Sequence, residues 1–60
     1  METIIYRGNQ IHHYLKEGIY IAYVMDRYGD IQDYERNTLE EAQAVIDRHI
    51  RGQKRIDVIP

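Results

Sequence analysis

Short apolar and aromatic runs, one of them alternating, are separated by polar turn signals up to residue 36, and a period near 3.6 takes over after residue 38. The short runs are those of strands, whose neighbouring side chains point to opposite faces; the period is that of a helix. TIIY (3–6) predicts a short strand, broken by the turn signal Gly8-Asn9. QIHHYL (10–15) alternates and predicts another, followed by the turn KEG. IYIAYVM (19–25) is the strongest strand, dense in β-branched and aromatic residues. DRYGD (26–30) is a hairpin loop containing Gly29, and IQDYER (31–36) is a more polar strand suited to a sheet edge.

The helical period then takes over. Thr38 and Glu41 have the spacing of a capping box. Leu39, Ala42, Ile46 and Ile50 fall on one stripe, with Gln43 and His49 at its margins. Glu40 and Glu41 sit at the positive end of the helix dipole, Arg48 and Arg51 at the negative end. Gly52 stands where a helix commonly stops, so the spacing predicts a helix over 39–51. In the tail RIDVIP (55–60), Ile56 and Val58 flank Asp57, which suggests a short final strand over 55–59 in this sheet or a neighbour's. The expected fold class is α+β: an antiparallel meander of three to four strands and one C-terminal helix, in a single domain over 1–60.

The central strand poses a problem of cover. Ile19, Ile21, Tyr23 and Met25 line one face, and Tyr20, Ala22 and Val24 the other. One helix covers one face, and the pattern does not say which. An uncovered apolar face on a small protein usually marks an interface. Each large apolar side chain left in water forgoes about 1.5–3 kcal/mol.

Chain length sharpens the point. Sixty residues make a marginal domain that usually needs a disulfide, a metal or a second subunit. Cysteine is absent, so disulfides and thiolate metal sites are excluded. Association is the remaining staple, and a homodimer or a partner-completed core is expected. No apolar run is long enough to span a membrane, and METIIYRG does not resemble a signal peptide. A cytoplasmic protein is the expectation.

Little in the sequence points to catalysis. Serine and cysteine, the common nucleophiles, are both missing. Asp33, Tyr34 and Glu35 offer acid–base groups, but a short meander has no deep cleft to desolvate them. Neither phosphate-loop glycine motif occurs, and DRYGDIQD lacks the calcium-loop pattern, leaving Asp26, Asp30 and Asp33 as turn formers and solubilising charges. Adjacent His12 and His13 point to opposite faces of a strand and do not share a metal; one half-buried and one solvated ring is expected. No cofactor and no metal are expected.

Charge is unevenly placed. Residues 1–47 hold four Lys/Arg against nine Asp/Glu, while 48–60 hold Arg48, Arg51, Lys54 and Arg55 against Asp57. That basic cluster is the candidate nucleic-acid contact. The central strands offer only Lys16 as a further cation, too few to neutralise a phosphate backbone.

GIYIAYVMDRYGDI…NTLEEAQAVIDRHI resembles the first domain of HicB-type antitoxins over roughly residues 18–50. The matching positions are Gly18, Tyr20 and Ala22 in the strand, then Thr38, Glu40, Glu41 and Ala42 opening the helix. The loop lacks the family's Pro-Gly pair, and an extra strand precedes the match. The resemblance implies strand-strand-strand-helix-strand, often as an oligomer, and a protein that blocks a small RNA-cleaving toxin. Small orphan proteins of phages and prophages share the pattern, and some inhibit host enzymes.

The first expectation is therefore a non-enzymatic protein-interaction module that docks through a tyrosine-rich sheet face or edge. Its contact residues would be Tyr14, Tyr20, Tyr23, Val24, Tyr28 and Tyr34, joined by Ile56 and Val58 if the tail adds a strand. The alternative is a DNA- or RNA-binding regulator using Arg48, Arg51, Lys54 and Arg55.

Overall fold

Two residues, Arg7 and Gly8, close the first hairpin between the paired Tyr6 and Asn9, with φ of 50° and 82°. Positive φ at both central positions is the mark of a type I′ turn, whose twist matches that of the flanking strands. Gly8 enters this region freely, whereas Arg7 carries a Cβ that crowds the backbone there. The turn therefore falls one residue earlier than Gly8-Asn9, and Asn9 is already in the next strand.

The computed structural model describes residues 1–58, with side chains for residues 1–52. Strands β1 (Glu2–Tyr6), β2 (Asn9–Tyr14), β3 (Ile19–Met25) and β4 (Ile31–Arg36) precede one helix, α1 (Leu39–Val58). The sheet is antiparallel in the order β1-β2-β3-β4, and it is open, with β1 and β4 as its edges. Between β2 and β3, the Gly18 N–H donates to the Tyr14 carbonyl at 2.9 Å. Between β3 and β4, Asp26 Oδ1 accepts from the N–H groups of Tyr28 and Asp30 at 2.9 and 3.0 Å. Asp26 is thus a turn former, as its place in the loop implied.

Thr38 caps α1. Its hydroxyl accepts the Glu41 N–H at 3.1 Å and donates to Glu41 Oε1 at 3.0 Å. The far end differs from the expectation. α1 continues through Gly52 to Val58, which corrects both the boundary at 51 and the strand over 55–59. Gly52 is not among the glycines with positive φ, so it does not terminate the helix. One interior glycine costs only ~1 kcal/mol, and Gln53, Lys54 and Arg55 after it are good helix formers that add little further cost. Residues 59 and 60 lie outside the described residues.

The helix covers the face that carries Ile4, Ile11, Tyr20, Ala22, Val24 and Tyr34. Ile11, Ala22, Ala42 and Ile46 are fully buried, and Val24 keeps 3 % of its surface. Ala22 explains the choice of face. It is the smallest residue of β3, so a helix axis approaches most closely above it, and Ala42 of α1 belongs to the same buried cluster.

Polar contacts pin this lid on two sides. The Tyr6 hydroxyl donates to Asp47 Oδ1 and Oδ2 at 2.9 and 3.2 Å, and Arg7 donates to Oδ1 at 2.8 Å. On the other side, His49 Nε2 donates to the Met25 carbonyl at 2.7 Å. A carbonyl oxygen only accepts, so that nitrogen carries the proton.

Candidate functional site

The opposite face of the sheet has no helix over it. Its cross-strand rows follow from the register: Thr3 pairs with His12, His12 with Ile21, and Ile21 with Glu35. Next to this row, Tyr14 pairs with Ile19 and Tyr23 with Asp33; Met25 pairs with Ile31 at the far end. Aliphatic and aromatic side chains therefore fill the middle of the face. Asp33 and Glu35 are its only formally charged strand residues, and both belong to β4.

Rings organise the centre. His12 lies 4.7 Å from Tyr23 and 6.4 Å from Tyr14, centroid to centroid, tilted by 58° and 63°. Its Nε2 lies 3.2 Å from Gln10 Oε1 and donates to that amide oxygen. The Tyr23 hydroxyl titrates above the usual 10.0, first because neighbouring groups displace water and then because Tyr14 and Asp33 are close. A proton-transfer role near neutral pH has no support in that direction of shift.

Around this centre the aliphatic residues are wet. Ile5 is 64 % exposed, Met25 52 % and Ile31 65 %. A shallow cleft of about 370 Å³ opens where Gly8, Gln10, His12, Tyr23, Met25 and Ile31 meet. Its volume lies at the lower end of the range of small-molecule pockets, and its lining is mostly apolar.

The structure separates the tyrosines that the sequence grouped together. Tyr14 and Tyr23 lie on the open face. Tyr20 and Tyr34 lie on the helix side, where Tyr20 stacks on His13 with centroids 4.0 Å apart. Tyr34 donates to Gln32 Oε1 at 2.6 Å. Val24 is buried under α1, so its proposed place on a docking surface is corrected: the small residue beside it drew the helix to that face. Tyr28 is exposed in the loop after β3. Ile56 and Val58 lie beyond the residues whose side chains are described. His12 and His13 are both half-buried, because each finds a tyrosine on its own face, so neither is the solvated ring expected.

His12, Ile5, Ile21 and Ile31 complete the open face and were not singled out as contacts by the sequence. Alternation alone places Ile21 on the face of Tyr23; that α1 covers the opposite face is shown by the packing of Ala22 in the buried cluster with Ala42.

The basic residues are only partly gathered. Arg48 and Arg51 are exposed on α1. Arg48 shares a cleft of about 260 Å³ with Arg36 of β4, beside Tyr34 and His49. Arg36 also lies 5.7 Å from the Tyr34 ring centroid. Lys54 and Arg55 fall outside the described side chains.

No group of three potential metal ligands occurs among the described residues. No helix among them is long and apolar enough to cross a membrane. No protein-family model, curated protein or solved structure matches this chain.

Proposed function

We propose that the protein is a non-enzymatic docking module that binds other protein surfaces through the open face of its sheet. The observation that supports this reading is the continuous patch around His12, Ile21 and Tyr23, flanked by exposed Ile5, Met25 and Ile31. Aromatic and aliphatic anchors in such a patch carry binding energy, while the polar edge formed by Asp33 and Glu35 sets orientation. The resemblance to HicB-type antitoxins belongs to the same proposal, with a small RNA-cleaving enzyme as one kind of partner.

Selection from a displayed random-peptide library tests it. Peptides that bind the wild-type chain should lose binding to Ile21→Lys, which places a charge in the centre of the face. Binders indifferent to Ile21→Lys would put the docking surface elsewhere.

A second reading draws on the cleft shared by Arg36 and Arg48. Two guanidinium groups there suit an anion, and nucleic acid is the anion the basic cluster suggests. Anisotropy of labelled single- and double-stranded oligonucleotides against salt tests it: affinity for a phosphate backbone falls steeply as salt rises.

A further inference from the structure

We infer that the open face is occupied by a second copy of this chain, packed face to face about a two-fold axis that runs along the strands. The inference rests on the docking reading above and adds to it the occupant and the geometry.

Area comes first. Four strands about 4.8 Å apart, each rising about 3.3 Å per residue, give a face of roughly 400 Å² in projection. Side-chain relief raises the accessible area, so two such faces together come to roughly 1,000 Å², the floor for a specific interface, whose usual size is about 1,600 Å². A face of this size supports a sandwich of two sheets about 10 Å apart.

Charge then selects the axis. Two-fold axes for a face-to-face pair run either across the strands or along them. An axis across the strands sets β4 against β4 of the second copy. Asp33 and Glu35 then meet their own duplicates, and four carboxylates crowd one edge. An axis along the strands sets β4 against β1, whose residues on this face, Thr3 and Ile5, carry no charge. The register makes this concrete. Thr3, His12, Ile21 and Glu35 form one row across the sheet. About the strand-parallel axis, Thr3 meets Glu35 of the second copy, and His12 meets its Ile21. The Thr3 hydroxyl is then a donor for the Glu35 carboxylate, and the carboxylate pairs sit at opposite edges of the sandwich.

Sedimentation equilibrium and site-directed cross-linking test both parts. The wild-type chain should sediment at twice its 7.2 kDa mass. Ile21→Lys should raise the dimer dissociation constant about 100-fold or more, by burying an unpaired charge against His12 of the second copy in a dry interface. Ile31→Lys should act in the same direction, and its 65 % exposure in the single chain makes it safe for folding. Unchanged far-ultraviolet circular dichroism confirms that the variants fold.

The chain has no cysteine, so introduced thiols report only themselves. A short bis-maleimide should join Thr3→Cys to Glu35→Cys in an equimolar mixture, and should not join Glu35→Cys to itself. Self-joining of Glu35→Cys overturns the strand-parallel axis. A wild-type monomer at millimolar concentration overturns the second copy; peptide binding that still depends on Ile21 then leaves the docking reading standing. A dimer indifferent to both lysine variants overturns the assignment of this face to a second copy.

Discussion

The Tyr6 hydroxyl lies 2.9 Å from Asp47 Oδ1, joining positions 41 residues apart. With Arg7, whose guanidinium approaches the same oxygen at 2.8 Å, it fastens the first hairpin to the helix lid. The two side chains shift each other in opposite directions. Asp47 titrates below its usual 3.8, chiefly because of Arg7 and then because of the Tyr6 hydroxyl. Tyr6 titrates above its usual 10.0, chiefly because its proton is held by Asp47.

These shifts predict how stability follows pH. A carboxyl lowered by folding stabilises the fold above its unfolded value of 3.8 and loses that contribution as pH falls through the lowered folded value. A tyrosine raised by folding contributes fully below 10.0 and loses the contribution as pH rises through the raised value. Asp47→Asn should flatten both limbs of a plot of urea midpoint against pH, and should speed amide exchange in β1. The contact is exposed, so the loss at neutral pH should be small.

Arg7 gives a second prediction, in which two effects compete. The residue occupies a conformation that crowds its Cβ, and it holds an exposed ion pair with Asp47. Asn-Gly is the favoured pair for this turn, and an exposed ion pair contributes little. Arg7→Asn should therefore raise the thermal midpoint by a few degrees, on the order of 2–6 °C. In an Asp47→Ala background the gain should be larger, since no ion pair remains to be lost.

Burial separates the two faces in a third test. Val24→Lys should abolish folding, because it drives an unpaired charge under α1 at a site 3 % exposed. Ile46→Ala, in the fully buried centre, should cost about 2–5 kcal/mol, a large part of the stability of so small a domain. Ile31→Lys on the open face should leave the single chain folded. Circular dichroism and urea titration of the three variants rank them.

Gly52 carries the fourth. A methyl group added there meets nothing within 4 Å, and the backbone is helical. Gly52→Ala should stabilise the helix by about 0.5–1 kcal/mol and raise the ellipticity at 222 nm. A fall in helicity would return the boundary to residue 51.

The strongly patterned elements were legible before the structure. β3 and the start of α1 lie where the run of β-branched and aromatic residues and the Thr38–Glu41 spacing place them, because local signals and packing agree there. The turn at Arg7 was hidden, since arginine has no preference for positive φ and the tie to Asp47 crosses most of the chain. The end of α1 was hidden because a glycine signals termination only when its backbone turns left-handed. The docking surface was half legible: alternation sorts β3 into two sets, and only the packing of Ala22 against the helix tells which set is left to water. Tyrosines grouped by residue type alone were divided by the sheet between its two sides.

The strand order has a kinetic meaning as well. Every strand pairs with the one just before or after it in the chain, so each ladder closes a short loop. Chains whose contacts are this local lose little entropy before each contact forms, and they rank among the faster folders of mixed architecture. Zipping of the three hairpins needs no help from distant segments. Docking of the helix on β3 and β4 and the tie from Asp47 back to Tyr6 and Arg7 bring together the segments farthest apart in the chain.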